Sequence, residues 1–153
     1  MPSILYYLRD FFACVLAVYF YGILMSVPKK PLIYTSLCGA VAYLAYRLVF
    51  LLLGHEYLGY FVAVFIVAVS SEILARLCHN PATVFVLPGI IPLVPGVGLY
   101  QTMLCLVRSD IDGAVHEGIR AIFVSGIIAV TVAVTNAVAR NFFTKPKPHD
   151  SQA

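Results

Sequence analysis

The stretch VLPGIIPLVPGVGLY, residues 86–100, decides how this chain folds. It lies inside an apolar run, residues 82–107, that is long enough to cross a membrane as a helix. Three prolines and three glycines stand within that run. Each proline removes a backbone N–H donor and each glycine weakens a helix, so the run cannot form one regular helix. The pattern predicts a broken or re-entrant segment.

The composition of the whole chain is that of a membrane protein. Of its 153 residues, 61% are hydrophobic and 11% are charged, and the mean hydropathy is +0.94. A soluble domain uses about 25% charged residues, so a large apolar surface must face lipid here. We therefore predict an all-α, polytopic integral membrane protein with about five transmembrane helices, the fourth of them broken. The predicted spans are residues 11–27, 32–53, 57–77, 82–107 and 114–140 of a transmembrane domain over residues 1–143, followed by a disordered cytoplasmic tail over residues 144–153.

The polar residues give no indication of a soluble ligand or of catalysis. The net charge is only +3, with no basic face that alternates with aromatic residues, so nucleic-acid binding is not expected. The four cysteines lack Cys-x-x-Cys spacing. His55 and Glu56 begin a zinc-protease motif, but Gly59 occupies the position of its second His. We predict no metal, no cofactor and no enzymatic activity, because no nucleophile–base set lies at membrane depth.

The longest polar stretch between apolar runs, residues 108–117, separates the fourth span from the fifth. Asp112 stands in this stretch next to Gly113, without the distal Glu that a calcium loop needs. A short acidic side chain at the start of an apolar run is typical of a helix N-cap. We therefore expect Asp112 to cap the last helix.

The lysine and arginine residues predict the orientation of the chain in the membrane. With five spans, one side holds Lys29, Lys30, Arg76 and the basic C-terminal tail. The other side holds Arg9 and Arg108, with Arg47 and Arg120 near it. Loops richer in Lys and Arg face the cytoplasm. We expect a multi-pass protein of the cytoplasmic membrane, with its N-terminus outside and its C-terminus in the cytoplasm.

A broken helix at membrane depth offers a substrate site made of backbone. A new half-helix that begins after Pro95 and Gly96 exposes its first N–H groups and the positive end of its dipole, which suit a carboxylate. Tyr100 and Gln101 lie one turn further on and are expected to add side-chain hydrogen bonds. The alternative, a kink that only helps packing, stays open on these grounds. The candidate substrate-binding residues are Pro92, Pro95, Gly96, Val97, Gly98, Tyr100 and Gln101.

The run from Pro81 to Gly96, followed by Tyr100 and Met103, resembles the threonine/serine exporter family, and more closely the short membrane subunit of its two-component form. Ser71-Glu72 and Ala75-Arg76 support the resemblance, whose specific match is confined to residues 70–103. Some relatives in that family are assigned to dicarboxylates such as succinate.

The resemblance implies a subunit of a secondary transporter that exports a small amino acid or organic acid across the cytoplasmic membrane, driven by the proton gradient. It also implies a longer multi-span subunit as partner, because single-chain members of the family join two membrane halves. The alternative function is a non-transporting membrane scaffold that stabilises a larger partner.

Glu72 and Arg76 form a second candidate site, for ion coupling or for an ion pair. Their i,i+4 spacing places them on one helical face, with the acidic residue toward the N-terminus. Ionisable groups at membrane depth are often functional, which would make Glu72 a proton carrier and Arg76 its anion partner. A neutralised pair at the cytoplasmic interface is the other interpretation, and we favour it because both residues stand near the end of their apolar run.

Overall fold

The computed structural model of the chain describes residues 4–27 and 29–143. These residues form six α-helices joined by short turns, and they contain no β-strand. The predicted tail, residues 144–153, lies outside the described residues. The helices are Ile4–Leu24 (α1), Lys29–Leu53 (α2), Glu56–Cys78 (α3), Thr83–Ile90 (α4), Gly96–Val107 (α5) and Ile111–Phe143 (α6), with a 3-10 turn at Ile91–Leu93 between α4 and α5.

The helices are long and apolar enough to make this a polytopic membrane protein. Among the described residues, α1, α2, α3 and α6 are each long and apolar enough to cross a membrane. The bent pair α4–α5 is long and apolar enough when its two helices are taken as one unit. An apolar sequence forms helices in lipid because every backbone N–H and C=O must find its partner within the segment. The all-α fold with four to five candidate spans, one of them broken, is confirmed.

Two contacts between α3 and α6 show that these helices run parallel. Arg120 of α6 bonds Glu56 at the start of α3, and Arg76 near the end of α3 donates to the carbonyl of Ala139 at 3.3 Å. At about 1.5 Å per residue, α3 covers about 30 Å between its two contacts, close to the thickness of the hydrocarbon core. Since both helices point in one direction, α4 and α5 together return the chain from the end of α3 to the side on which α3 begins.

The break between α4 and α5 is a real change of backbone direction. The two halves are bent by 53° around the 3-10 turn. Val94 after that turn is extended, with φ −62° and ψ 132°, and its carbonyl accepts the Gly96 N–H at 2.7 Å. Leu93 in the turn is 1% exposed and packs with buried residues of α2 and α3. The prolines therefore end one helix and begin another, as their missing N–H groups require.

The two halves of the broken span have different surroundings. Helix α4 packs against α1, α2 and α3, whereas α5 packs against α6 alone among the described helices. The α5–α6 contact is antiparallel and close, because a Cβ on Gly98 would lie 3.5 Å from the Cβ of Ala121 and one on Gly118 would lie 3.4 Å from Cγ2 of Thr102. No residue of α5 is buried. Most of its apolar surface is therefore left for lipid or another protein.

Two ends of helices differ from the sequence-based expectations. Helix α6 begins at Ile111, and the Asp110 carboxylate accepts the Gly113 N–H at 3.0 Å, so the N-cap is Asp110 and the assignment of Asp112 was wrong. Helix α1 begins at Ile4, before the predicted start of the first span at residue 11, and it continues through Asp10. The Asp10 carboxylate is paired with Arg9 at 3.1 Å and with Arg47 of α2 at 3.7 Å.

Candidate functional site

A cavity of about 700 Å³ lies where the helix break meets α2, α3 and α6, and we call it the break cavity. Six of the seven candidate substrate-binding residues line it. The remaining walls come from the second half of α2, the start of α3 and the first turns of α6. The six residues are Pro92, Pro95, Gly96, Val97, Gly98 and Gln101.

The first turn of α5 presents unpaired backbone donors to the break cavity. Pro95, the N-cap, has no N–H, and its carbonyl accepts the Leu99 N–H at 3.1 Å. The Gly96 N–H is bonded to Val94. Within the described part of the chain, the N–H groups of Val97 and Gly98 have no hydrogen-bond partner. Free N–H groups at a helix N-terminus carry partial positive charge and bind anions.

An ion pair between distant parts of the sequence forms the polar wall of the break cavity. The Arg120 Nε donates to Oε2 of Glu56 at 3.1 Å, and Nη2 donates to the same oxygen. The Nη1 atom of Arg120 lies 3.8 Å from Oε2 of Glu117. All three residues line the cavity, with Glu56 as the first residue of one candidate membrane span and Arg120 inside another. Charged groups at such positions commonly mark ion or substrate pathways.

Two tyrosines and a second arginine complete the α2–α3 side of the cavity. The rings of Tyr46 and Tyr60 are 4.5 Å apart between centroids, and both residues line the cavity. This packing is close because Gly59 has no side chain. A Cβ there would lie 3.2 Å from the Tyr46 carbonyl oxygen. Arg47 also lines the cavity, and it shares the Asp10 carboxylate of α1 with Arg9.

The structure places Tyr100 away from the break cavity. Its side chain is 64% exposed, and it does not line the cavity that its neighbour Gln101 lines. Successive residues of a helix point about 100° apart, and here the Tyr100 side chain lies on the face of α5 that does not border the cavity. Direct substrate contact by Tyr100 stays a prediction, and nothing in the cavity geometry supports it.

Glu72 and Arg76 lie near the opposite end of α3 from the break cavity. Their side chains are 3.5 Å apart, as the i,i+4 spacing predicts, and both line an apolar groove of about 600 Å³ between α3 and α6. At about 1.5 Å per residue, Glu72 stands about 24 Å along α3 from Glu56. The two candidate sites of the sequence are therefore separate, and the chain carries one ion pair near each end of α3.

The sequence alone did not identify Glu56 and Arg120 as residues of one site. In the sequence, Glu56 belongs only to an incomplete zinc-protease motif, and Arg120 is one of several arginines near one side of the membrane. The only local signal is that both stand at the edge of an apolar run. Their pairing joins positions 64 residues apart, which periodicity and spacing do not register.

No group of three metal-ligating side chains that could hold an ion occurs within residues 4–27 and 29–143. The polar groups of the break cavity are instead suited to a small charged organic molecule. They combine two guanidinium groups, two carboxylates, an amide and free backbone N–H donors. Such a set can bind an anionic or zwitterionic molecule by charge-assisted hydrogen bonds.

Comparison with known proteins adds one assignment. No curated protein and no solved structure matches the chain. The family model described as "Threonine/Serine exporter, ThrE" matches residues 10–138, which include all six helices in whole or in part and every charged residue of the break cavity. Because that match covers most of the chain, this protein belongs to the threonine/serine exporter family.

Proposed function

We propose that this chain is a subunit of a secondary transporter that exports a small amino acid or organic acid across the cytoplasmic membrane. Threonine and serine are the first candidates because of the family name, and dicarboxylates such as succinate are the second. The proton gradient is the proposed energy source. Membership of an exporter family supports a transport role over an enzymatic one.

The observation that carries this proposal is the position of the α5 N-terminus. The free N–H groups of Val97 and Gly98 and the guanidinium of Arg120 border the same cavity, at a break in a membrane span. Broken helices whose half-helix N-termini point at anionic substrate groups are a recurrent device of secondary transporters. The volume of about 700 Å³ is in the range of small-molecule sites and exceeds what an amino acid or dicarboxylate needs.

We further propose a longer multi-span subunit as the partner of this chain. Helix α5 packs on α6 alone among the described helices, and the break cavity is only partly enclosed. Lipid cannot satisfy unpaired N–H groups and charges, so another protein wall beside the cavity is favoured physically. A complete transport path would then form between the two subunits.

The proposed orientation has the N-terminus outside and the C-terminus in the cytoplasm. Because the spans alternate in direction, the start of α3 and the end of α2 then lie on the outer side. The break cavity, which is built at that end of both helices, would open toward the outer half of the membrane. That is the side to which an exporter releases its substrate.

Export assays with two glycine variants test the transport role. A Cβ at Gly96 or at Gly126 meets no atom of the described residues within 4 Å, so a side chain at either position begins in open space. Gly96 borders the break cavity and Gly126 does not. We expect the parental chain, expressed with its partner, to confer export of L-threonine, L-serine or succinate. Gly96→Val should abolish that export, and Gly126→Val should retain it.

The scaffold alternative gives a different result in the same assay. A subunit that only stabilises a larger partner should tolerate Gly96→Val, because a Cβ at Gly96 meets none of the described residues within 4 Å. Normal export by a Gly96→Val chain present at parental levels in the membrane would exclude the break cavity from the transport path and favour the scaffold function.

A further inference from the structure

We infer that Arg120 binds a carboxylate of the transported molecule, and that Glu56 occupies Arg120 only while the site is empty. The substrate carboxylate and Glu56 then compete for one guanidinium. This inference rests on the proposed transport function and deepens it, because it names the residue that selects acids over neutral molecules.

The Glu56–Arg120 pair uses only one of the two carboxylate oxygens of Glu56 to accept hydrogen bonds. Both Nε and Nη2 of Arg120 donate to one carboxylate oxygen, Oε2 of Glu56. The strongest arrangement of these groups is a fork in which two parallel N–H groups meet two oxygens. A mobile carboxylate that enters the cavity is free to adopt that two-oxygen arrangement, whereas the Glu56 side chain is tethered to the first turn of α3.

Arg120 stands beside the first turn of α5. The next residue, Ala121, packs against Gly98, whose N–H is one of the two free donors. Gly98 and Arg120 both border the break cavity. A carboxylate in the cavity can therefore meet the guanidinium on one side and the positive end of the α5 dipole on the other.

The charges around Arg120 favour a ligand with a carboxylate and little net charge over an anion of higher charge. Glu56 and Glu117 both lie close to the guanidinium, and Arg47, the other arginine of the cavity, is already paired with Asp10. A substrate carboxylate takes the place of Glu56 on the guanidinium, and a zwitterionic amino acid leaves the net charge of the site unchanged.

A purely structural ion pair is the competing explanation. Glu56 is the first residue of α3, where an acidic side chain is favourable, and the pair joins α3 to α6. A structural pair depends equally on both partners and can be restored by exchanging them. A substrate ligand depends on Arg120 far more than on Glu56. This difference in the roles of the two residues makes the inference testable.

The test uses cells in which the parental chain confers export of L-threonine, L-serine or succinate. It measures apparent KM for the exported acid and competition by the corresponding amide, which lacks the carboxylate. We expect Arg120→Gln to raise KM by about 10- to 100-fold, the loss of a charge-assisted hydrogen bond, and to abolish discrimination between acid and amide. Arg108→Gln, an exposed arginine outside the cavity, is the matched control and should behave as the parent.

Two further variants separate the ligand role from the structural one. Glu56→Gln removes the competitor, and we expect an unchanged KM or one lowered by up to about fivefold, as for the loss of a partly exposed ion pair. The exchange of charges, Glu56→Arg with Arg120→Glu, should not restore export. Equal losses in Glu56→Gln and Arg120→Gln, with recovery in the exchanged chain, would overturn the inference.

The outcomes also separate this inference from the transport proposal. Parental KM and parental discrimination in an Arg120→Gln chain would overturn the role of Arg120 while export itself stands. A parental chain that confers no export of any of the three acids, with or without its partner, would overturn both.

Discussion

Gly89 of α4 and Val67 of α3 lie so close that a Cβ on Gly89 would stand 2.7 Å from Cγ1 of Val67. On the other side of α4, a Cβ on Gly39 of α2 would stand 3.3 Å from the Gly89 carbonyl oxygen. Small residues allow membrane helices to approach this closely and to gain dispersion energy. This gain matters in a membrane because the hydrophobic effect does not drive helices together in lipid. The close approach holds α4 in place, and with it the break that follows.

Gly89→Ala should destabilise the protein by about 1–3 kcal/mol, because the new methyl group overpacks the α3–α4 contact. The shift is measured as the free energy of unfolding in detergent micelles. Val67→Ala removes Cγ1, so a double-mutant cycle should give an interaction free energy of about 0.5–3 kcal/mol in favour of the double variant. Gly126→Ala is the control, since a Cβ there meets nothing within 4 Å. Equal stabilities of the Gly89 and Gly126 variants would show that α4 does not pack this closely.

Gln101→Leu should weaken export more than Tyr100→Phe does. Gln101 lines the break cavity and Tyr100 does not, so only the first substitution removes a hydrogen-bonding group from the site. A neutral hydrogen bond contributes about 0.5–1.5 kcal/mol, which corresponds to a rise in apparent KM of about two- to twelvefold. Kinetics of export at equal membrane levels make the comparison. A larger loss in the Tyr100 variant would place that hydroxyl, and the outer face of α5, on the substrate path.

Glu72→Gln should leave export and its dependence on the proton gradient close to parental. The Glu72–Arg76 pair lies about 24 Å along α3 from the cavity carboxylate Glu56, and the guanidinium is 41% exposed. An exposed i,i+4 pair contributes about 0.2–0.5 kcal/mol to a helix, so the loss of stability should be small. Export is measured with and without a protonophore. Export that persists but no longer responds to the protonophore would assign proton coupling to Glu72.

Arg108→Cys should react with impermeant thiol reagents from outside the cell, and Thr83→Cys should react only after the cells are permeabilised. Both positions are exposed, the first in the turn before α6 and the second at the start of α4. The background should have its four native cysteines replaced by serine. Reversed labelling would invert the proposed orientation. Labelling of both positions from outside would show that α4–α5 does not cross the membrane.

Part of the candidate site followed from local sequence. Pro92, Pro95 and Gly96 cannot continue a helix, so the break and the backbone donors behind it were predictable from chain chemistry alone. The i,i+4 contact of Glu72 with Arg76 is likewise local, since helical geometry dictates it. The predicted N-cap of α6, Asp112, lies two residues beyond the N-cap in the structure, because Asp110 and Asp112 carry the same side chain and only the exact start of the helix distinguishes them.

The sequence by itself determined that this protein lies in lipid, how many spans it has and where the span α4–α5 is broken. Lipid forces each segment to satisfy its own backbone, so the hydropathy and the prolines of a segment decide its structure without reference to the others. Only the tertiary structure decided which faces meet: that Glu56 pairs with Arg120, and that Gln101 borders the cavity while Tyr100 does not. These helices are apolar on nearly every side, so no amphipathic pattern marks the face that packs inward. Their rotation and partners depend on close contacts between distant small residues such as Gly98 and Ala121, which no local window of sequence contains.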